Sequence, residues 1–299
     1  TGDLFDTAYP PIEVLRDAFE IFRYVKEANV PVFIIAGSHD YSASGKTFLE
    51  VLEKAGFCTN VARWEENQGQ RYLLPTIYKG AALYGYPGKK SSMEVDELTG
   101  VKIHEAPGMY SILLLHTAIR DAVGSLPIKA VDHTQLPQVD YIALSHLHID
   151  YAKEGRAYSG PLFPNNIAEL EELQGGSFYI VENGRAQKHS IVLKKVTPLT
   201  LEVTDALRAT EDIITLLGGH PIQDHIVILR LQGVLAKGKT ADIDFTKIEA
   251  YAKSKGVYAL MKSTSKLYQQ ESELTLTHLD TPDLEPTIIK AFEEKNESI

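Results

Sequence analysis

The sequence predicts an α/β fold, because continuous apolar runs typical of buried strands alternate with an amphipathic helical pattern. Three runs carry this prediction: residues 30–36 (VPVFIIA), 111–115 (SILLL) and 139–144 (VDYIAL). Apolar runs without alternation indicate strands that are buried on both faces of a sheet. Between Pro10 and Asn29 the apolar residues recur every three or four positions, which predicts a helix with prolines at its start.

The same patterns predict the remaining elements. A second helix is expected over residues 47–55, ended by Gly56. Further strands are expected at residues 71–78, 81–85, 155–159, 177–181 and 189–196. Helices at 204–217 and 245–255 then alternate with strands at 224–231 and 257–261. We therefore expect a main domain over residues 1–198, a small α/β module over 199–269 and a tail over 270–299.

The composition excludes several classes of protein. A chain of 299 residues with 44% hydrophobic and 23% charged residues is globular rather than disordered. The single cysteine, Cys58, excludes an internal disulfide and a cysteine-based zinc cluster, which favours a cytoplasmic location, nucleoid-associated in a prokaryote. No apolar run long enough to span a membrane is visible. The net charge of −10 argues against nucleic-acid binding by bulk charge, but residues 270–299 hold eight acids and two lysines, so the body is nearly balanced.

Histidines follow each of the three predicted buried strands. Residues 37–40 (GSHD) follow the first, His116 follows the second, residues 145–148 (SHLH) follow the third, and Gly2-Asp3 precedes them all. Ligand chemistry in α/β sheets lies just outside the carboxyl ends of the strands, so we expect these residues to meet at one edge. Since residues i and i+2 of an extended segment point the same way, His146 and His148 can address one metal cluster.

Each of these elements alone also has an ordinary structural interpretation. Asp3 is suited to cap the helix that follows it. The GSHD segment is compatible with a simple turn, and His116 with a core histidine whose hydrogen bonds are satisfied. The order in which all four elements occur favours the metal interpretation.

That order resembles the pattern of the calcineurin-like metallophosphoesterases, namely Gly-Asp, Gly-Asn-His-Asp/Glu, a lone His after an apolar strand, and Gly-His-x-His. The segments GDLFD, LLLHTAI, YIALSHLH and AYSGP are similar to the Mre-eleven/SbcD family of DNA double-strand-break repair nucleases. More loosely, the LRLQG strand resembles that family's capping domain. The resemblance implies a four-layer α/β/β/α sandwich for residues 1–198, N-terminally incomplete, and a small α/β capping domain for residues 199–269.

The resemblance also implies roles for individual residues. It implies that the protein binds two Mn(II) ions, with Fe or Mg as alternatives. Four residues would hold these ions: Asp3, His116, His146 and His148. Imidazole and carboxylate ligands without thiolate suit such ions, and a metal pair supplies both the nucleophile and charge relief for phosphodiester hydrolysis. His39 would steer the phosphate and act as general acid, with Asp40 orienting it.

The implied function is a Mn-dependent DNA nuclease, exo- and endonucleolytic, in double-strand-break repair. The implied partners are DNA ends, a second copy of the chain in a homodimer, and a Rad-fifty/SbcC-like coiled-coil ATPase. The tail at 270–299 is the expected docking segment, with Ile288, Ile289 and Phe292 as apolar anchors.

The sequence departs from the family pattern in two important places. The family's Asp-x-His on the opening strand is absent, and Ser38 stands where the family has a metal-ligating Asn; Ser145 in place of Gly is a milder change. These departures predict weakened metal binding. They keep two alternatives open, a phosphodiesterase for small or cyclic nucleotides and a catalytically weak DNA-end scaffold.

Overall fold

A computed structural model describes residues 1–182 and 184–269, which fall into two compact units. The first unit ends at Val196 and the second begins at Thr197, next to the predicted boundary at residue 198. The predicted docking segment with Ile288, Ile289 and Phe292 lies outside the described residues. The assignment of the two units as a nuclease and a capping domain stays a prediction.

The described part of the first unit contains short helices and many strands. Its helices are α1 (Ile12–Glu27), α2 (Phe48–Lys54), α3 (Glu94–Leu98), α4 (Arg120–Val123) and α5 (Ile167–Leu173). Its strands are β1 (Phe33–Ile34), β2 (Thr59–Asn60), β3 (Trp64–Asn67), β4 (Gln70–Leu73), β5 (Thr76–Tyr78), β6 (Ala81–Tyr86), β7 (Lys102–Ile103), β8 (Tyr110–His116), β9 (Tyr141–Ser145), β10 (Asp150–Lys153), β11 (Arg156–Ser159), β12 (Gly176–Glu182) and β13 (Arg185–Ile191).

A six-stranded mixed sheet forms the centre of this unit, in the order β10-β11-β9-β8-β6-β5. Strands β6, β8, β9 and β11 are parallel neighbours, so their carboxyl ends share one edge. The outer strands β5 and β10 are antiparallel and are joined to β6 and β11 by tight hairpins. The hairpin turns hold Lys79-Gly80 and Glu154-Gly155, which all have positive φ as a type I′ turn requires.

Strand β8 is buried on both faces, as its apolar run predicted. Leu113 and Leu115 belong to the larger core of the unit, whereas Leu114 between them packs on the opposite side with Ile35 and Val61. The alternation follows from the pleat, which sends successive side chains to opposite faces. The small parallel sheet β1-β2 therefore packs against the central sheet through Ile35 and Val61.

The other side of β1 is covered by α1 and α2. Ile34 and Ala36 pack with Phe22 of α1 and with Leu49 and Leu52 of α2. The predicted strand over residues 30–36 is real but short, because only Phe33 and Ile34 pair in register with β2. The residues after Ile34 leave the ladder and lead into the GSHD segment.

The second unit is a separate α/β module. Strands β14 (Val196–Glu202), β15 (Ile226–Leu235) and β16 (Ala259–Gln269) form a three-stranded sheet, with helices α6 (Ala206–Gly218) and α7 (Phe245–Ser254). In its hydrophobic core the helices pack on the sheet, with Leu229 of β15 in the same cluster as Ile213 of α6 and Ile248 of α7. The strand predicted at 257–261 is much longer, because polar residues up to Gln269 continue the parallel pairing with β15. Backbone pairing makes no demand on side-chain polarity, so hydropathy missed this extension.

The structure corrects one predicted strand near the boundary between the two units. The strand predicted at 189–196 is wrong, because β13 ends at Ile191 and a new strand, β14, begins at Val196. Hydropathy alone does not separate two strands joined by a short apolar connection.

In the described part of the chain, no helix has both the length and the apolar character that crossing a bilayer would need.

Candidate active site

The predicted residues at the ends of β8 and β9 meet at one edge of the central sheet. His116 is the last residue of β8 and pairs with Ser145, the last residue of β9. His116 is 2% exposed, whereas the residues after Ser145 are partly exposed. The imidazole of His146 lies beside that of His116, with 5.1 Å between the ring centroids. Parallel pairing thus brings together histidines that are thirty residues apart in the chain.

Asp40 joins the two amino-terminal segments of the site. Its carboxylate Oδ2 accepts hydrogen bonds from the backbone N–H groups of Asp3 and Gly37, each at 2.8 Å. Oδ1 accepts a longer bond of 3.4 Å from the N–H of Phe5. Burial raises the pKa of this carboxyl, although these N–H groups favour the charged form. Asp40 therefore fixes the loop of Asp3 against the loop of His39.

The expected role of Asp40 in orienting His39 is not what the structure shows. The Nδ1–H of His39 donates to the backbone carbonyl oxygen of Asp6 at 2.8 Å. The Asp40 carboxylate instead accepts hydrogen bonds from the backbone N–H groups of Asp3, Gly37 and Phe5. The orienting group is thus a carbonyl oxygen, which no side-chain pattern in a sequence reveals.

Asp3 lies between the two histidine-bearing segments. Its Oδ1 accepts a bond of 2.8 Å from the N–H of His39, and its Oδ2 lies 3.2 Å from Nε2 of His116. Burial would raise the pKa of Asp3, but the approach of the His116 imidazole and the N–H of His39 hold it below its ordinary value. The carboxylate is therefore ionised at neutral pH and faces an imidazole.

The hydrogen bonds of His116 determine which of its nitrogens is available. Nδ1 lies 3.1 Å from the carbonyl oxygen of Thr1 and 3.0 Å from Oγ of Ser145, whose own hydroxyl proton is donated to Thr1. A carbonyl accepts only, so we assign the proton to Nδ1. Nε2 is buried and has no hydrogen-bond partner among the described residues.

This arrangement fits a bound cation. A carboxylate oxygen and an imidazole lone pair repel each other at 3.2 Å unless a positive charge lies between or beside them. A proton on Nε2 or a metal ion meets this requirement. Imidazole and carboxylate are ligands for Mn, Fe and similar ions, and the Nδ1–H bond to a carbonyl is the usual support for a metal-binding histidine.

His146 is held in a strained and partly dehydrated position. Its backbone φ of 96° lies in a region that residues other than glycine rarely adopt. Burial, followed by the neighbouring His116, lowers the pKa of His146, so its neutral form prevails. A neutral imidazole is the form that binds a metal.

His148 contacts a carboxylate that sequence reasoning did not single out. Its Nδ1–H donates to Oε2 of Glu169 at 3.1 Å, which leaves Nε2 free. Glu169 is fixed in turn by the backbone N–H of Asn165 at 3.0 Å and by the side-chain amide of Asn166. Because Asn166 caps α5 and Glu169 stands three residues later, the Asn-x-x-Glu pattern indicates only a capping box. The second role of Glu169 has no separate sequence signal.

The predicted ligands are thus neighbours but do not by themselves form a finished ligand set. Asp3 and His116 are in contact, His146 is adjacent to His116, and His148 influences His146 electrostatically while bonded to Glu169. Within residues 1–182 and 184–269, no three carboxylate, imidazole or thiolate groups form a ready-made metal cluster. The assignment of these residues as metal ligands stays a prediction.

Two glycines allow the loops to approach this closely. A Cβ on Gly37 would lie 2.2 Å from the Asp3 carboxylate, and one on Gly88 would lie 2.3 Å from Cδ2 of His116. Such distances are far inside van der Waals contact. The loop after β6 therefore lies directly on the His116 ring.

Comparison with known proteins shows similarity to archaeal DNA-repair proteins. The chain is 41% identical over 192 residues to the DNA double-strand break repair protein Mre11 of Methanococcus maripaludis, which covers 60% of this chain and 50% of that protein. It is 28% identical over 200 residues to Mre11 of Methanocaldococcus jannaschii, with coverage of 61% and 50%. The resemblance to the Mre11 family is confirmed.

The comparisons also bear on the wider group and on the length of the chain. The uncharacterized metallophosphoesterase YhaO of Bacillus subtilis is 23% identical over 224 residues, covering 70% of this chain and 52% of that protein. Together with the mixed sheets, these matches confirm an α/β fold of the metallophosphoesterase type, and the four-layer order stays a prediction. No protein-family model matches the chain. The chain spans about half the length of the Mre11 relatives it matches.

The close approach of Gly88 yields a testable prediction for this Mre11 relative. In Gly88→Ala the new methyl group meets the buried His116 ring, so we expect destabilisation of about 1–3 kcal/mol, typical of overpacking. Urea denaturation measures the loss, and the NMR shifts of His116 report displacement of the ring. Gly219→Ala is the control, since its Cβ meets its nearest neighbours at 3.6 and 3.7 Å. Equal stability of the two variants would contradict the packing assigned to Gly88.

Proposed function

We propose that the chain is the nuclease part of a DNA double-strand-break repair protein, which hydrolyses phosphodiester bonds exo- and endonucleolytically. The observation that carries this proposal is the contact of Asp3 with His116, beside His146 and His39, at the carboxyl edge of the sheet. The resemblance to Mre11 supports DNA as the substrate. The resemblance to YhaO supports a metal-dependent phosphoesterase.

Divalent metal ions are part of this proposal. Asp3, His116, His146 and His148 are the residues that would hold them, and Mn(II), two ions per chain, is our choice, with Fe or Mg as alternatives. Bound metal would supply charge neutralisation at the phosphoryl oxygens and activation of the nucleophile. Among the described residues, Nε2 of His116 and Nε2 of His148 have no hydrogen-bond partner, which supports the fit of these residues to a cation.

His39 is proposed to transfer a proton to the leaving oxygen. Its side chain is 53% exposed, so it is accessible to a substrate. Since Nδ1 donates to the Asp6 carbonyl, Nε2 is the nitrogen that remains to contact the phosphate or the leaving group. The bond from its backbone N–H to Asp3 ties the proton donor to the predicted metal ligands.

A catalytically weak DNA-end scaffold is the second candidate function. One specific observation favours it, namely that Ser38 occupies the position where the resembled family has a metal-ligating Asn. A serine hydroxyl is shorter and donates more weakly to a metal than an amide oxygen. DNA binding without metal-supported hydrolysis would establish this alternative, and preferential hydrolysis of small or cyclic nucleotides would favour a nucleotide phosphodiesterase instead.

Replacing His39 tests the proposed chemistry. We expect His39→Gln to lower kcat for Mn(II)-supported cleavage of linear DNA by about 10²–10⁴-fold, the usual contribution of a general acid. The loss should be smaller with bis-p-nitrophenyl phosphate, because p-nitrophenolate leaves readily without a proton. The matched control is His220→Gln, which replaces another exposed histidine whose Nδ1 donates to a carbonyl, that of Leu216.

The pattern of losses decides between roles for His39. Equal losses on the two substrates would contradict proton transfer by His39 and leave it a structural role. An inactive wild-type chain with saturating Mn(II) would contradict the nuclease proposal itself. The His220 variant should stay within about twofold of the wild type, since His220 forms none of the contacts described for the candidate site and exposed substitutions of this kind have small effects.

Glu169 offers a test of metal binding that does not depend on activity. Glu169→Gln weakens the support of His148, so we expect Mn(II) affinity to fall about 10–100-fold, the usual cost of losing a carboxylate behind a metal-binding histidine. Isothermal titration calorimetry measures the dissociation constant. Glu172→Gln, an exposed position on the same helix, is the control. Equal affinities in the two variants would remove His148 from the proposed metal site.

We also propose the partners of the chain. They are DNA ends, a second copy in a homodimer and a Rad-fifty/SbcC-like coiled-coil ATPase that docks on residues 280–299. Deleting residues 280–299 should weaken co-purification with the ATPase and leave DNA cleavage intact, because the segment is distinct in sequence from the site. Unchanged co-purification of the truncated chain would show that the ATPase docks elsewhere.

A further inference from the structure

A cleft of about 420 Å³ is lined in part by His39, and none of the predicted metal ligands is among its lining residues. Its lining is rich in hydroxyl groups and contains one lysine: Thr7, Ser38, Tyr41, Lys90 and Ser91, together with His39. Hydroxyl groups and a lysine are the groups with which proteins bind phosphate oxygens. The site described so far uses neither Lys90 nor Ser91.

Lys90 brings an uncompensated positive charge to this cleft. It is exposed and forms no ion pair with any residue of the described chain, whereas Nζ of the neighbouring Lys89 lies 2.5 Å from Oε2 of Glu97. Asp6 also lines the cleft, but its carboxylate is 78% exposed and lies 3.9 Å from Nδ1 of His39. The charge of Lys90 is thus available to an anion.

The loop that carries Lys90 is firmly attached to the site. Glu94, which is 2% exposed, accepts bonds of 3.1 Å from the N–H of Lys89 and from the hydroxyl of Thr117, the residue after His116. On the other side, the N–H of Gly88 donates to the carbonyl of Ala36 at 2.9 Å, just before the GSHD segment. The backbone that leads into Lys90 is therefore anchored to the segments that carry His116 and His39.

The backbone of this loop is strained at Ser91, which lines the cleft, and at the next residue, Ser92. Ser91 and Ser92 have φ values of 59° and 52°, in the left-handed region that serine rarely adopts. Strain of this kind persists where surrounding contacts impose it, and it is concentrated at sites that bind ligands. Here the residues just before the strained pair are held by the bonds of Lys89 to Glu94 and of Gly88 to Ala36.

We propose that Lys90, with the hydroxyls of Ser91 and Thr7, binds a phosphate of the DNA strand next to the one that is cleaved. This inference rests on the proposed nuclease function, and it names a determinant for polynucleotides over mononucleotides. His39 and Lys90 line the same cleft, so when one phosphate contacts His39 a neighbouring phosphate of the same strand can reach Lys90. A mononucleotide has no such second phosphate.

Binding of single-stranded DNA by the full chain in EDTA tests the proposal without metal or turnover. Fluorescence anisotropy of a labelled oligonucleotide, measured over a range of salt concentrations, gives the number of phosphates neutralised. For Lys90→Gln we expect the slope of log K against log salt to fall by about 0.7, the value for one phosphate on a single strand. This corresponds to about eightfold weaker binding at 50 mM salt.

Lys153→Gln is the matched control. Lys153 is exposed and likewise forms no ion pair with a described residue. Its backbone lies opposite Arg156 in the β10–β11 ladder, at the amino end of β11 and thus at the edge opposite to the site. It should keep the wild-type slope, and Lys90→Arg should restore it because arginine keeps the charge. Equal slopes for Lys90→Gln and Lys153→Gln would overturn the proposal.

A second measurement asks whether Lys90 meets one particular phosphate. Single methylphosphonate linkages, which are neutral, are placed in turn along the oligonucleotide. At one linkage the replacement should weaken binding by the wild type and leave binding by Lys90→Gln unchanged, as expected for two partners of one contact. A Lys90→Gln penalty that is the same at every linkage would overturn the proposal while leaving the nuclease assignment, which is judged by hydrolysis, intact.

Discussion

The buried carboxylate of Asp40 is the interaction on which the site depends. It accepts hydrogen bonds from the N–H groups of Asp3, Gly37 and Phe5, and so holds two segments together that are more than thirty residues apart in sequence. A carboxylate that accepts several backbone bonds substitutes for water around those groups, so its burial is tolerated. Through it, Asp3 is placed within reach of both His39 and His116.

The central sheet supplies the second constraint. Parallel pairing of β6, β8 and β9 delivers the loop of Lys90, His116 and the SHLH segment to a single edge. Hydrophobic burial on both faces of β8 makes this register costly to change, because a slip by one residue would exchange Leu114 with its neighbours between two different cores. Asp3 and His146, in the loops above this edge, both have positive φ, a strain that persists only where surrounding contacts impose it.

The sequence was sufficient for the placement of strands and histidines and insufficient for the contacts between loops. The buried runs before His116 and Ser145 predicted both strands, because burial on two faces leaves a clear apolar signature. The orienting carbonyl of Asp6 and the bond from His148 to Glu169 left no comparable signature. The first is a backbone group, and the second is hidden in a helix-capping pattern. The length of β16 was missed because ladder pairing does not require apolar residues.

The hairpin turns at Lys79-Gly80 and Glu154-Gly155 lie at the amino edge of the central sheet, away from the candidate site. Cys58, the only cysteine in the chain, is buried, and burial raises the pKa of its thiol to about 11. Its thiol is therefore almost unreactive at neutral pH. A cysteine introduced at either turn would then be the one thiol that reacts with a maleimide at neutral pH. A dye or a solid support attached through it would sit at the edge of the sheet opposite to the candidate site.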